Sequence, residues 1–148
     1  MTASGGTRLR HRAVSWAPLM LAGLVSWRGS AVSETLSGSE WVPVEIEGVP
    51  VSEVTRAFVQ FGGDGRLSGN SGCNRFIGSH RIDGETLRIR SGVAMARMAC
   101  PPAIMEEEAR LVQALVAARG FFRDGRISLD MTGEDASTVL RMRQTASD

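Results

Sequence analysis

The chain has 148 residues, enough for one domain and too short for two with independent cores. Its 43% apolar share is that of an ordinary globular protein, so neither disorder nor a membrane protein is the default. All 17 basic residues are Arg, which we read as coding bias because no Arg cluster of nucleic-acid type accompanies it.

Residues 1–33 read as a signal peptide. Arg8, Arg10 and Arg12 form a basic start, and Ala13 to Trp27 then run without a charge. That run is short for a spanning helix and contains Pro18. Gly29-Ser30-Ala31 or Ala31-Val32-Ser33 would suit a signal peptidase, while Arg28 keeps open an uncleaved inner-membrane anchor. The expected location is therefore exported and periplasmic. Removing the segment leaves 13 arginines against 16 carboxylates, a net of about −3. A weakly acidic domain has no overall electrostatic reason to hold nucleic acid or an anionic membrane surface.

Glu34 to Glu40 is polar and reads as a flexible lead-in to a domain over 41–143, with 144–148 as a tail. Trp41 to Ile46 reads as a first strand, with Pro43 suggesting an edge or a strand start, and Gly48-Val49-Pro50 as a turn. Val54 to Phe61 has the clearest period of two, placing Thr55, Ala57, Val59 and Phe61 on one face. Asp64-Gly65, Asp83-Gly84 and Asp124-Gly125 each precede a strand and predict tight hairpin turns. Further strands are expected over Arg66–Gly69, Phe76–Ile82, Glu85–Arg90, Arg126–Met131 and Ser137–Met142.

One helix interrupts them. Pro101 and Pro102 suit its start, Ile104, Leu111, Leu115 and Ala118 form an apolar stripe, and Gly120 is expected to cap its end. Hairpin strands with one helix predict a mainly β, α+β fold: an antiparallel sheet or incomplete barrel capped by a helix.

No catalytic residue emerges. His80 is the one histidine past the signal and sits mid-strand, where a packed or half-exposed ring is the expected state. One His and two Cys give zinc no plausible ligand set. Gly69-Asn70-Ser71-Gly72-Cys73 mimics a nucleophile elbow, but the final Gly is Cys and a strand is expected after it. Glu106-Glu107-Glu108 reads as a solvated helix face matched to the dipole. The glycines around Cys73 read as a bend in a sheet rather than a ligand loop. In an oxidising compartment Cys73 and Cys100 are expected to pair, pinning that bend to the helix entrance.

Phe61 to Gly69, then Gly72-Cys73-Asn74-Arg75-Phe76 with Gly78, then Ala96-Arg97-Met98-Ala99-Cys100 and Met105-Glu106 with Glu108, resemble the META domain family, which includes the HslJ heat-shock-type envelope proteins. The resemblance implies a small lipocalin-like, partly closed barrel with a helix packed on it. It implies an exported or membrane-attached bacterial protein linked to stress or novobiocin tolerance. It brings no catalytic residue, ligand or cofactor. It marks Gly69, Gly72, Asn74, Gly78, Arg97, Met98 and Glu108 as motif positions with structural or interaction roles. Two positions depart from the family pattern: Ala96, where Thr is frequent, and His80, where an aromatic is common. The partner is expected to be an envelope protein or a small ligand carried in the barrel mouth. No metal, nucleic acid or stable membrane insertion is expected, and the domain is expected to be a monomer.

Overall fold

The computed structural model describes residues 1–2 and 36–144. The signal-like segment beyond its first two residues, and the tail from 145, lie outside the described residues. Ten strands and one helix follow: β1 (Ser39–Ile46), β2 (Val49–Pro50), β3 (Phe58–Phe61), β4 (Arg66–Asn70), β5 (Arg75–Asp83), β6 (Thr86–Ile89), β7 (Ala94–Met95), α1 (Pro102–Ala117), β8 (Gly120–Asp124), β9 (Ser128–Thr132) and β10 (Thr138–Gln144).

All pairings are antiparallel. Eight strands form a ring in the order β10-β9-β8-β6-β5-β4-β3-β1, which the β1–β10 ladder closes. β2 hangs on β1 and β7 on β5. The ring is uneven. Long ladders join β1, β10 and β9, whereas β6 meets β8 at the single pair Thr86–Gly120. The result is the partly closed barrel that the strand pattern predicts.

Alternation fills its interior. Trp41, Val59, Phe61, Leu67, Phe76, Leu87, Leu129, Met131, Leu140 and Met142 are inward positions of successive strands and are all buried. α1 contributes Leu111, Ala114, Leu115 and, just past its end, Ala118. The helix packs on β10, β1 and β6. β1 and β6 stand four places apart in a ring of eight, so a helix touching both crosses an end of the barrel.

The three Asp-Gly pairs turn as expected, with φ of +79°, +59° and +61° at Gly65, Gly84 and Gly125. Several expectations need correction. Leu36 is fully buried and β1 opens at Ser39, so packing begins inside the segment read as a lead-in. Pro43 is not on an edge. It pairs with Met142 of β10 and faces the gap between the β3 ladder, which reaches Trp41, and the β2 ladder, which starts at Glu45. The strand expected from Val54 is confined to Phe58–Phe61, because Ser52–Thr55 forms a turn closed by Thr55 N–H donating to Ser52 O at 3.1 Å. Its inner face was still read correctly, since Thr55, Ala57, Val59 and Phe61 are all buried. Gly120 does not cap the helix, which ends at Ala117 with an extended Ala118. Gly120 instead opens β8, a strand the sequence reading missed.

Candidate functional site

Two of the three consecutive glutamates are buried, against the expectation of a solvated face. No acid lies in the first helical turn, so Glu106, Glu107 and Glu108 stand beyond the reach of the helix dipole. Glu106 is exposed, while Glu107 and Glu108 are buried and face different loops. Adjacent helix positions point about 100° apart, so each carboxylate meets its own set of donors. Glu107 accepts from Ser52 N–H at 2.9 Å and from the Thr55 hydroxyl at 2.6 Å. That bond captures the turn that interrupts the expected strand.

Glu108 organises the glycine-rich segment. Its Oε2 accepts from Asn74 N–H at 2.8 Å and from the Ser71 hydroxyl at 2.5 Å, and its Oε1 accepts from Asn74 Nδ2 at 2.9 Å. Asn74 Oδ1 in turn accepts from Met98 N–H at 2.7 Å, and Ser71 N–H donates to Asn74 O at 2.9 Å. Burial alone would raise the Glu108 pKa. The hydrogen bonds from Ser71, from the Asn74 side chain and backbone and from the Cys73 backbone hold it below the usual 4.5 instead. Glu108 is therefore an ionised acceptor, and the single Ser71 proton goes to it rather than to Asn74 O.

Gly72 fits this loop for two reasons. Its φ is +115°, and a Cβ there would stand 3.2 Å from the Thr55 side chain held by Glu107. Gly69 sits where a Cβ would meet Phe58 O at 2.1 Å and the Phe76 ring at 2.7 Å. Gly78 is different, because a Cβ would find only ordinary contact with Val93 at 3.4 Å. Cys73 and Cys100 form a disulfide with Cα atoms 6.1 Å apart, joining the loop to the residue before Pro101.

Beside this junction lies an open groove of about 770 Å³, with Val93 to Ala99 along one side and Met105 and Glu108 on the helix side. The motif positions Asn74, Arg97, Met98 and Glu108 all border it. Arg97 and Met98 are exposed. Its rim carries β7, which is paired to β5 on one side only. Gly69 and Gly78 lie on β4 and β5, away from the groove lining.

His80 is buried, with its ring edge-on to Phe61 at 5.3 Å between centroids, so the expected packing holds despite the missing aromatic. Its desolvation lowers its pKa below 6.5, with a backbone contact to Arg66 and the Asp64 charge acting in the opposite direction. Among the described residues no cluster of three or more His, Cys, Asp or Glu is placed to hold a metal ion. No helix among them is long and apolar enough to cross a membrane.

In the sequence Ser71 stands out only as a false nucleophile, Thr55 only as an inward strand position and Glu107 only as part of a solvated triplet. The available signal was a pair of glutamates past the first helical turn, together with two loops rich in hydroxyl and amide donors.

Comparison with family models matches the META domain over residues 34–146. A protein from Burkholderia xenovorans, solved by NMR, superimposes with a TM-score of 0.62 at 19% identity, covering 79% of this chain and 88% of that one. A second NMR structure gives 0.59 at 25% identity, covering 76% and 93%. The crystal structure of a DUF4847 family protein from Bacteroides vulgatus gives 0.56 at 16% identity, covering 79% and 99%. These likenesses concern the fold. A comparison with curated proteins finds no match.

Proposed function

Because the chain belongs to the META domain family, we propose that it is an exported, non-catalytic domain of the bacterial cell envelope that acts in stress or antibiotic tolerance by binding a partner on its outer surface. The observation that carries this reading is the convergence of Asn74, Arg97, Met98 and Glu108 on one open groove next to the disulfide. Glu108 and Asn74 are engaged with each other and with the loop, which leaves Arg97 and Met98 as the motif residues exposed for contact in the groove. Ser71 is only 1% exposed and its carboxylate partner Glu108, held below its usual pKa, is a weak base, which supports a non-catalytic role. Carriage inside the barrel is the weaker alternative, since Trp41, Phe61, Phe76 and Leu129 occupy inward positions and are fully buried.

The test is a deletion strain challenged with envelope stress and with novobiocin, complemented by wild type or by Arg97→Ala/Met98→Ala. Both side chains are exposed, so the variant keeps its fold while losing the groove contacts. The reading expects sensitivity in the deletion and failure of the variant to restore growth. Full rescue by the variant, or by a chain lacking residues 1–33, overturns it.

A further inference from the structure

Net charge conceals where the arginines stand. On the outer face of β4, β5 and β6, the two-residue period exposes Arg66, Arg81 and Arg88, continues to the exposed Arg90 just past β6, and half-buries Ser79. Register gathers these residues. Arg66 pairs with Ser79 across the β4–β5 ladder, and Arg90 N–H donates to Ser79 O at 3.0 Å from the other side. Arg81 follows Ser79 on the same face, with Arg88 directly opposite it on β6. Four guanidinium-bearing residues thus surround one serine. Arg66 makes a loose ion pair with Asp64 at 3.8 Å. Arg81, Arg88 and Arg90 have no carboxylate partner among the described residues.

Like charges directly opposite one another weaken a sheet, and the Arg81–Arg88 pair has no carboxylate within ion-pair distance among the described residues, Asp83 standing one position further along the same face of β5. Guanidinium groups match phosphate oxygens in shape and charge. Ile77, two residues from Ser79 on the same face, is exposed and adds an apolar side chain beside the cations. Cations flanking an exposed apolar group suit the headgroup layer of a membrane.

We propose that this arginine face docks the domain peripherally on an anionic phospholipid surface, through the headgroup phosphates. The near-neutral total charge gave no reason to expect this, because a sum over the chain carries nothing about where the arginines stand. The inference is independent of the groove and would survive its failure.

The test uses the purified, oxidised full chain with vesicles of phosphatidylcholine alone or with added phosphatidylglycerol. The difference between the two removes the contribution of the apolar N-terminal run, and Arg8, Arg10 and Arg12, common to every variant, cancel in the comparison between variants. R81Q/R88Q is compared with R126Q/R143Q, which makes the same charge change on the β8–β9 turn and on β10, with melting curves confirming folding. Each arginine contributes roughly five-fold, so R81Q/R88Q is expected to weaken phosphatidylglycerol-dependent binding about 25-fold, while R126Q/R143Q stays near wild type. The exposed single variants R88Q and R90Q carry the same test at about five-fold each. Equal losses in both double variants, unchanged binding by R81Q/R88Q, or tighter binding of duplex DNA through the same arginines overturns the proposal.

Discussion

At the helix entrance the Glu108 carboxylate accepts hydrogen bonds from Ser71 and from two groups of Asn74, and Asn74 passes the connection on to Met98. On the β4–β5–β6 face Arg81 and Arg88 oppose each other with no carboxylate between them. The first region uses its polar groups on itself and is architecture. The second leaves like charges uncompensated and faces outward. The β1–β10–β9 ladders show the intermediate case: Arg141 on β10 reaches Asp130 through two bonds, at 2.9 and 3.1 Å, and stands 3.5 Å from Glu45. Register supplies Arg141 with carboxylates, whereas Arg81, Arg88 and Arg90 have none within ion-pair distance among the described residues.

The largest effect that would break this contrast concerns the disulfide. The Cys73–Cys100 bond spans 27 positions, and chain-entropy arithmetic gives it about 3.5 kcal/mol. Urea unfolding of the C73S/C100S variant should show a loss of that order. A loss below about 1 kcal/mol would mean that the junction is held by its polar bonds alone.

Next comes Glu108 itself. Glu108→Ala strands the buried donors of Ser71 and Asn74 and should destabilise the domain by roughly 3 kcal/mol, whereas exposed Glu106→Ala should stay within about 0.5 kcal/mol. Equal effects at the two positions would erase the distinction between a buried carboxylate and a solvated one.

The smallest effects sharpen the arginine side. Arg141→Gln should lower the melting temperature only slightly, because its partly exposed pair is screened by water. R81Q/R88Q should leave stability unchanged or raise it by up to about 0.5 kcal/mol through relief of repulsion. A clear loss there, seen in the same melting experiment, would mean that the face is structural after all.

Much of the fold was legible because its signals are local. Asp-Gly pairs need positive φ, alternation marks Val59 and Phe61 as inward, and two prolines ahead of an apolar stripe announce α1. The cysteine pairing followed from compartment chemistry. The site was legible only in part. Asn74, Arg97, Met98 and Glu108 came from a family resemblance, and their convergence depends on the β5–β7 pairing, which rests on two residues too few to carry a period. Burial of Glu107 and Glu108 was missed for a definite reason. A run of three glutamates near a helix start reads as a dipole-matched solvated face, yet a loop stands on each side with donors in place. β8 was missed because Gly120 suits a helix cap by composition, while its backbone instead lies close to Thr132 and Glu85.

The central claim is that Glu108 is buried, ionised and held by the loop, and its own titration tests this most directly. A folded-state pKa below 4.5 means that the carboxylate's contribution is present above pH 4.5 and is lost as pH falls through the depressed value. His80, lowered from 6.5 by burial, begins to lose its contribution as pH falls below 6.5, a higher onset than that of Glu108. Following the Glu108 side-chain carboxyl by carbon NMR in the oxidised protein, assigned with E108Q, should give a midpoint below 4.5. A midpoint at or above 4.5 would contradict the account.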